Sequence, residues 1–306
     1  MPDEMNAAID IGSNSIRLLI GEACCGIVSP LLYRRQITRL AGGLGGCLRL
    51  LNPESMEKSL ATLESFVELT SHHRCRCIRA VATEALRRAD NASEFVHLVS
   101  LRTGLKIDII EGCEEARLSA IGARSALLPL PESYLLIDIG GGSCEFTLQQ
   151  GEVIRFHRSY SLGVVTLSEH FPDNASRSNK IEQTIDSVQA DLRQADLLSS
   201  VKSEETVLVG TAGTVTTLAA MKLQMTVYDW RQVNNLQLER HDLLELHHIL
   251  SRCTPLERET LPGMEAGRGD LIVSGLEIVL GTMHAFAKPR LVVSDFGLLE
   301  GVLLSL

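Results

Sequence analysis

The chemistry-bearing residues of this chain come in two similar stretches. Residues 7–19 read AAIDIGSNSIRLL and residues 135–148 read LLIDIGGGSCEFTL. Each is an apolar run, an Asp-Ile-Gly step, a small polar turn and a second apolar run, the pattern of a strand, a tight turn and a returning strand. An aspartate at the rim of such a turn can orient a metal ion or a water, and bare backbone N–H groups of a glycine turn can meet a phosphate. In the first stretch, Gly12 allows close backbone approach. Ser13, Asn14 and Ser15 offer side-chain donors, and Arg17 has the reach for a phosphate. An ordinary hairpin explains these turn residues equally well. The second stretch is more demanding. Gly140, Gly141 and Gly142 in succession weaken a sheet entropically, and a phosphate-holding backbone nest that runs on into Ser143 is the best physical reason for them. Asp138 and Glu145 flank that nest and could hold a hydrated Mg²⁺.

Three further segments carry candidate groups. Gly210-Thr211-Ala212-Gly213-Thr214 follows an apolar run and opens a helix, which supplies free N–H groups and the positive end of a dipole. Gly and Thr also serve as ordinary helix caps, so the pattern alone is weak. Residues 83–88, TEALRR, put Arg87 and Arg88 on a short turn after a strand; such paired arginines usually form a solvated face. Glu114 and Glu115 open a helix, where acids suit the dipole. The functional alternative is a carboxylate acting as general base toward water.

Composition narrows the classes. The chain has 306 residues, enough for two cores, and 45% hydrophobic residues, so it is globular rather than disordered. No run is long enough to span a bilayer, and residues 1–6 do not read as a signal peptide; a soluble cytoplasmic protein is expected, with no membrane partner. Acidic and basic residues balance over residues 1–125, so the net charge of −9 falls in residues 126–306. That disfavours general nucleic-acid binding and leaves a local anion site in the first half open. The eight cysteines form no C-x-x-C pair and read as reduced, mostly buried thiols. The histidine pairs His72-His73 and His247-His248 show no metal-ligand pattern.

The elements that must position these groups repeat. The first hairpin continues into a third strand over residues 28–40, followed by the glycine loop Gly42-Gly43-Leu44-Gly45-Gly46. That loop lacks the Lys-Ser/Thr ending of a nucleotide P-loop, and connector and substrate access are equal readings of it. Asn52-Pro53 starts a helix whose apolar stripe is Met56, Leu60, Leu63 and Val67. A strand over 77–82, a helix over 91–102 stopped by Gly104, a strand over 105–110 and a helix over 114–126 complete the first half. Pro129 and Pro131 mark a boundary. The second half has its own three strands and a helix marked by Ile181, Ile185, Val188 and Leu192. A strand over 206–209, helices from 212 and 271, a strand over 291–294 and a terminal helix over 298–306 follow. The expected organisation is a duplicated α/β architecture, with residues 1–126 joined by 298–306 as one domain and 127–297 as the other.

In order along the chain, AAIDIGSNSIRLLI, RAVATEALRRADNASEF, IDIIEGCEEARLSAIGA, LLIDIGGGSCEF, GTAGTVTTLAA and SDFGLLEGVL resemble the exopolyphosphatase / guanosine pentaphosphate phosphohydrolase family, a branch of the actin-like ATPase superfamily. The resemblance covers essentially the whole chain and is of the short, two-domain type. It implies two ribonuclease-H-like domains with the active site in an interdomain cleft. It implies Glu115 as catalytic base. Asp10, Gly12, Ser13, Asn14 and Arg17 would form the first phosphate loop, and Gly140, Gly141, Gly142 and Ser143 the second. Asp138 and Glu145 would support Mg²⁺ or a similar divalent cation. Arg87 would approach the phosphate chain, and Gly210, Thr211, Gly213 and Thr214 match a loop that lies near a nucleotide in related actin-like proteins. A homodimer is a family-level expectation. Two departures stand out: the chain lacks the helical region of longer members, and Val233-Asn234-Asn235 replaces Val-His-Gly.

The expected reaction is hydrolysis of a terminal phosphoanhydride of polyphosphate or of guanosine pentaphosphate (pppGpp), with water as nucleophile and no role for the cysteines. A binding module that senses guanosine penta/tetraphosphate with little turnover is the alternative. An actin-like kinase shares the superfamily but not the Glu-Glu-Ala-Arg and Ala-Thr-Glu-Ala-Leu-Arg motifs.

Overall fold

The computed structural model describes residues 5–24, 26–42, 44, 49–171 and 173–306. Cys25, Cys47 and glycines 43, 45 and 46 of the glycine loop lie outside the described residues. The chain divides into two compact units, residues 1–125 with 297–306, and residues 126–296.

The first unit is built on β1 (Asn6–Ile11), β2 (Ser15–Cys24) and β3 (Ile27–Ile37), then α1 (Pro53–His72), β4 (Cys77–Ala82), α2 (Glu84–Arg88), α3 (Ala92–Thr103), β5 (Ile107–Ile109) and α4 (Gly112–Ala126). Its sheet order is β3-β2-β1-β4-β5, antiparallel across the hairpins and parallel from β1 to β4 to β5. α1 starts where Asn52 accepts from the Glu54 N–H and Pro53 takes the first turn, and α3 ends on left-handed Gly104. Met56, Leu60, Leu63 and Phe66 of α1 are buried against Ile16, Leu18 and Ile20 of β2; Val67 is only half-buried. The 83–88 segment is a helical turn with Ala85 and Leu86 inside, rather than a bare loop.

The second unit contains β6 (Ser133–Ile139), β7 (Cys144–Gln150), β8 (Val153–Tyr160), α5 (Val164–His170), α6 (Asn174–Gln194), α7 (Leu198–Lys202), β9 (Thr206–Thr211) and α8 (Ala212–Lys222). It continues through α9 (Trp230–Val233), β10 (Gln237–Glu239), α10 (Arg240–Leu250), α11 (Pro255–Glu259), α12 (Ile272–Ala285) and β11 (Arg290–Val293). The sheet order β8-β7-β6-β9-β11 repeats that of the first unit, with β10 added at the edge. The α6 stripe of Ile181, Ile185, Val188 and Leu192 is buried in a separate core. Asn235, in left-handed backbone at φ 65°, donates its side-chain amide to Ala126 O and accepts from the Leu128 N–H, both at 2.8 Å.

α13 (Leu298–Leu304) returns to the first unit and packs on β1 to β4. Its approach to α4 is at backbone contact: a Cβ on Gly301 would sit 1.8 Å from Leu118 O, and one on Gly122 1.8 Å from Gly297 O. Gly301→Ala is therefore expected to cost about 3 kcal/mol or more, because backbone and not a flexible side chain must yield. Urea unfolding measures this, and an unchanged midpoint with an unchanged slope would refute the close contact.

The cysteine expectation needs correction. Of the six described, only Cys144 is buried; Cys24, Cys77 and Cys113 are exposed and Cys75 and Cys253 intermediate. The outward faces of β2 and β4 and the first turn of α4 are wet where they carry these thiols. Among the described residues no helix is long and apolar enough to cross a membrane.

Candidate active site

Both units gather their candidate residues at the C-terminal ends of the parallel strands, where open α/β sheets hold ligands. In the first unit β1 ends in the Gly12–Ser15 turn. The Gly12 N–H donates to Ser15 O at 3.1 Å, and a Cβ on Gly12 would press on the same oxygen. The carbonyls of the turn are taken from behind. Asn14 O accepts from the N–H groups of Thr38 and Arg39, and Ser13 O from that of Ala41. No described group accepts from the Ser13 or Asn14 N–H. The second unit repeats this construction. The Gly140 N–H donates to Ser143 O at 2.9 Å, Gly140 O accepts from Val164 N, and Gly141 O from Val165 N and Thr166 N. Among the described residues nothing accepts from the amides of Gly141, Gly142 and Ser143. Gly163 makes the second turn possible, since a Cβ there would lie 2.1 Å from Gly141 O. Fixed carbonyls with open amides are the construction that suits a turn to an anion.

The strand registers set the charge beside each nest. Asp10 on β1 faces Arg17 on β2, which faces Arg35 on β3. Asp138 on β6 faces Glu145 on β7, which faces Ser159 on β8. Direct cross-strand neighbours share a face of the sheet, so each row is a line of side chains beside its turn. The first row is one carboxylate and two guanidinium groups. Arg17 donates from Nε and Nη2 to Asp10 Oδ2 at 2.8 and 2.6 Å, so its guanidinium is turned onto Asp10. Asp10 is 2% exposed, and its Oδ1 accepts nothing from the described residues. The second row is two carboxylates and a hydroxyl, with Ser159 Oγ donating to Glu145 Oε1 at 2.6 Å. Burial, with the charges of Glu145 and Asp138 adding to it, pushes the Cys144 thiol well above its ordinary range. Two adjacent carboxylates fit Mg²⁺, which is held by one or two carboxylates together with water and substrate oxygens. Among the described residues no group of three or more His, Cys, Asp or Glu forms a closed metal nest.

Arg87 and Glu115, separate in the chain, come together in the first unit. Arg87 Nη1 donates to Glu115 Oε2 at 2.9 Å and to Ile110 O at 2.6 Å. Their side chains are 23% and 20% exposed, partly shielded yet reachable by solvent. α2 follows β4 and α4 follows β5, so the two adjacent parallel strands deliver the pair. Glu114 has a different fate: hydrogen bonds from Arg117 hold its carboxyl below the usual range on the surface of α4, with Arg79 adding to the effect.

The Gly210–Thr214 segment lies beside Asp138, which pairs in register with Thr211. Its side chains point inward: Thr211 Oγ1 donates to Phe296 O at 3.0 Å, and Thr214 is 2% exposed against Gly275. What α8 offers is its backbone, with Ala212 at φ 68° forming the corner. The guanidinium of Arg268 lies over this helix start, 1.6 Å from where a Cβ on Gly213 would be, and pairs with Glu265. Sequence reasoning missed Arg268. The nearest sequence signal was the glycine at 213, which leaves room for the guanidinium over the helix start.

The chain is similar to known proteins along nearly its whole length. A model of the Ppx/GppA phosphatase family matches residues 19–306. Exopolyphosphatase 2 of Mycobacterium tuberculosis is 31% identical over 313 aligned positions covering 98% of each chain. The crystal structure of the Aquifex aeolicus member of the Ppx/GppA family superposes with a TM-score of 0.82 at 31% identity, covering 99% of this chain and 97% of that one. An exopolyphosphatase from Cytophaga hutchinsonii gives a TM-score of 0.86 at 23% identity, covering 98% and 96%, a likeness of fold.

Proposed function

We propose, from the premise that the chain belongs to the Ppx/GppA phosphatase family, that it hydrolyses the terminal phosphoanhydride of inorganic polyphosphate, of pppGpp, or of both. The observation that carries this reading is the Arg87–Glu115 pair in the same unit as an open-amide turn. An arginine and a nest can hold a phosphate, and a carboxylate beside them can take a proton from water. No side-chain nucleophile is required.

In this scheme the open amides of Ser13 and Asn14 in the first unit are suited to phosphate oxygens, as are, within the second unit, those of Gly141, Gly142 and Ser143. Arg87 binds the phosphate next to the attacking water, and Glu115 orients that water and accepts its proton. Asp138 and Glu145 would hold Mg²⁺, which when bound offsets charge developing on the phosphate oxygens. Asp10 Oδ1, buried and open to a donor, suits an ordered water. Ser159 fixes the carboxylate of Glu145 through its hydrogen bond.

Phosphate release from polyphosphate and from pppGpp, each with and without Mg²⁺, tests the reading. Release from at least one substrate, dependent on the cation, is the expected result. Tight binding of ppGpp with no phosphate released from either substrate would replace the enzyme by an alarmone sensor. Ser159→Ala is expected to raise the Mg²⁺ concentration for half-maximal rate about 10-fold, since orienting partners of ligands typically contribute 10–100-fold in affinity; Thr at this position should restore it.

A further inference from the structure

We propose that Arg39 is a phosphate-binding residue of the first-unit turn, its guanidinium meeting the anion that the Ser13 and Asn14 amides hold, a claim that rests on the phosphoanhydride reading above. The Arg39 N–H donates to Asn14 O at 2.9 Å, so Arg39 is fastened to the same residue that presents one of the open amides. Thr38 and Leu40 on either side of it are buried while Arg39 is exposed, so its side chain leaves the chain outward at the rim of the turn. Among the described residues its guanidinium has no hydrogen-bond or ion-pair partner. Arg17 differs in this respect, because it directs Nε and Nη2 onto Asp10.

The backbone at this place argues for the side chain. Arg39 stands at φ 52°, in the left-handed region where a Cβ is unfavourable and glycine is not. Glycine is used close by, at Gly42, whose N–H returns to Arg39 O at 2.8 Å. Bracing the turn requires only an N–H at position 39. The second unit shows as much: there the turn carbonyls are taken by the N–H groups of Val164, Val165 and Thr166 at the start of α5, residues that carry no charge. The brace therefore sets no demand for arginine, and the left-handed backbone disfavours it. An outlier of this kind points to function rather than to stability. What arginine adds is a permanent cation with paired N–H donors, the group that matches phosphate oxygens. The open amides fix where a phosphate sits, and the guanidinium beside them offsets its charge. That contact is present before the reaction as well as during it, so Arg39 serves affinity more than the chemical step.

The test uses the whole chain. Arg39→Asn removes the guanidinium and keeps the left-handed backbone, which asparagine adopts more readily than most side chains. Arg39→Lys keeps the charge and loses the planar fork. Binding of tripolyphosphate is measured by calorimetry over a range of salt in the Glu115→Gln background, which removes any dependence on turnover. KM and kcat for phosphate release from tripolyphosphate are measured in the otherwise native chain. Arg39→Asn is expected to weaken tripolyphosphate binding about 10-fold, the effect of losing one charge-assisted contact, and to make the salt dependence of affinity shallower. KM should rise by the same factor while kcat stays within about two-fold, and the melting temperature should be no lower than the parent's. Arg39→Lys should recover part of the affinity. Unchanged binding and unchanged KM in Arg39→Asn overturn the assignment. So does a lowered melting temperature with a reduced kcat and an unchanged KM, which would make Arg39 a brace of the turn alone. If the native chain releases no phosphate from tripolyphosphate or pppGpp while Arg39→Asn still weakens tripolyphosphate binding, the hydrolase reading fails and the Arg39 contact stands.

Discussion

Glu115→Gln is expected to lower phosphate release by about 10³-fold, within the 10²–10⁴ that a positioned general base supplies, while substrate binding is kept. The amide is nearly isosteric with the carboxylate. Its oxygen can still accept from Arg87 Nη1, and Arg87 remains anchored on Ile110 O. The α2–α4 corner therefore keeps its shape, and what is lost is the ability to take a proton from water. The neighbouring Glu114→Gln is the control. Its carboxylate is engaged by Arg117 on the surface of α4, so its loss should leave the rate within about two-fold, as for most exposed ion pairs. Single-turnover release of phosphate, together with calorimetric binding of the substrate, separates the chemical step from affinity. A purified Glu115→Gln protein that releases phosphate at the parent rate would falsify the base assignment. Arg87→Gln should behave differently, raising KM as well as lowering kcat, since this side chain is assigned both to phosphate and to holding Glu115.

The doubled Asp-Ile-Gly hairpin was legible in the sequence because everything that makes it is local: apolar alternation, a glycine turn, and a returning strand within a few residues. The α1 start at Asn52-Pro53 and the α6 stripe were legible for the same reason. What the sequence could not show is lateral. That Arg17 would turn onto Asp10 follows from cross-strand register, not from spacing in the turn, and the third members of the rows, Arg35 and Ser159, arrive from another strand. Arg87 and Glu115 were each singled out by motif, yet their contact depends on β4 and β5 being neighbours. Asn235 looked only like a departure from a family pattern. In the fold it is a strut, using both ends of its amide on the segment around Ala126 and Leu128. The cysteines were misread because composition says that thiols prefer interiors, whereas Cys24, Cys77 and Cys113 lie on strand ends and a helix start that are exposed.

Glu145→Arg tests the division of labour between the two hairpins. It turns the second-unit pair Asp138–Glu145 into the Asp–Arg pair that the first unit already carries at Asp10–Arg17, in the same antiparallel register. The first unit shows that this scaffold accepts such a pair, with the arginine folded back on the aspartate at 2.6 Å. The variant should therefore fold with a melting temperature close to the parent's, the half-buried Asp138 gaining an arginine partner in place of a second carboxylate. Ser159 loses its acceptor on Glu145 but stands where water can replace it. Cation support is expected to vanish. An arginine offers no lone pair, and its charge repels Mg²⁺ from Asp138. Stimulation of phosphate release by Mg²⁺ should fall by about 10²-fold or more, and Mn²⁺ binding followed by electron paramagnetic resonance should be lost in parallel. Glu145→Gln, which removes charge without adding any, should lie between the two. A Glu145→Arg protein that binds Mn²⁺ as the parent does would move the cation site away from this hairpin. The same result would leave Glu115 untouched, because the base belongs to the other unit and its assignment rests on Arg87 and Ile110 rather than on the metal.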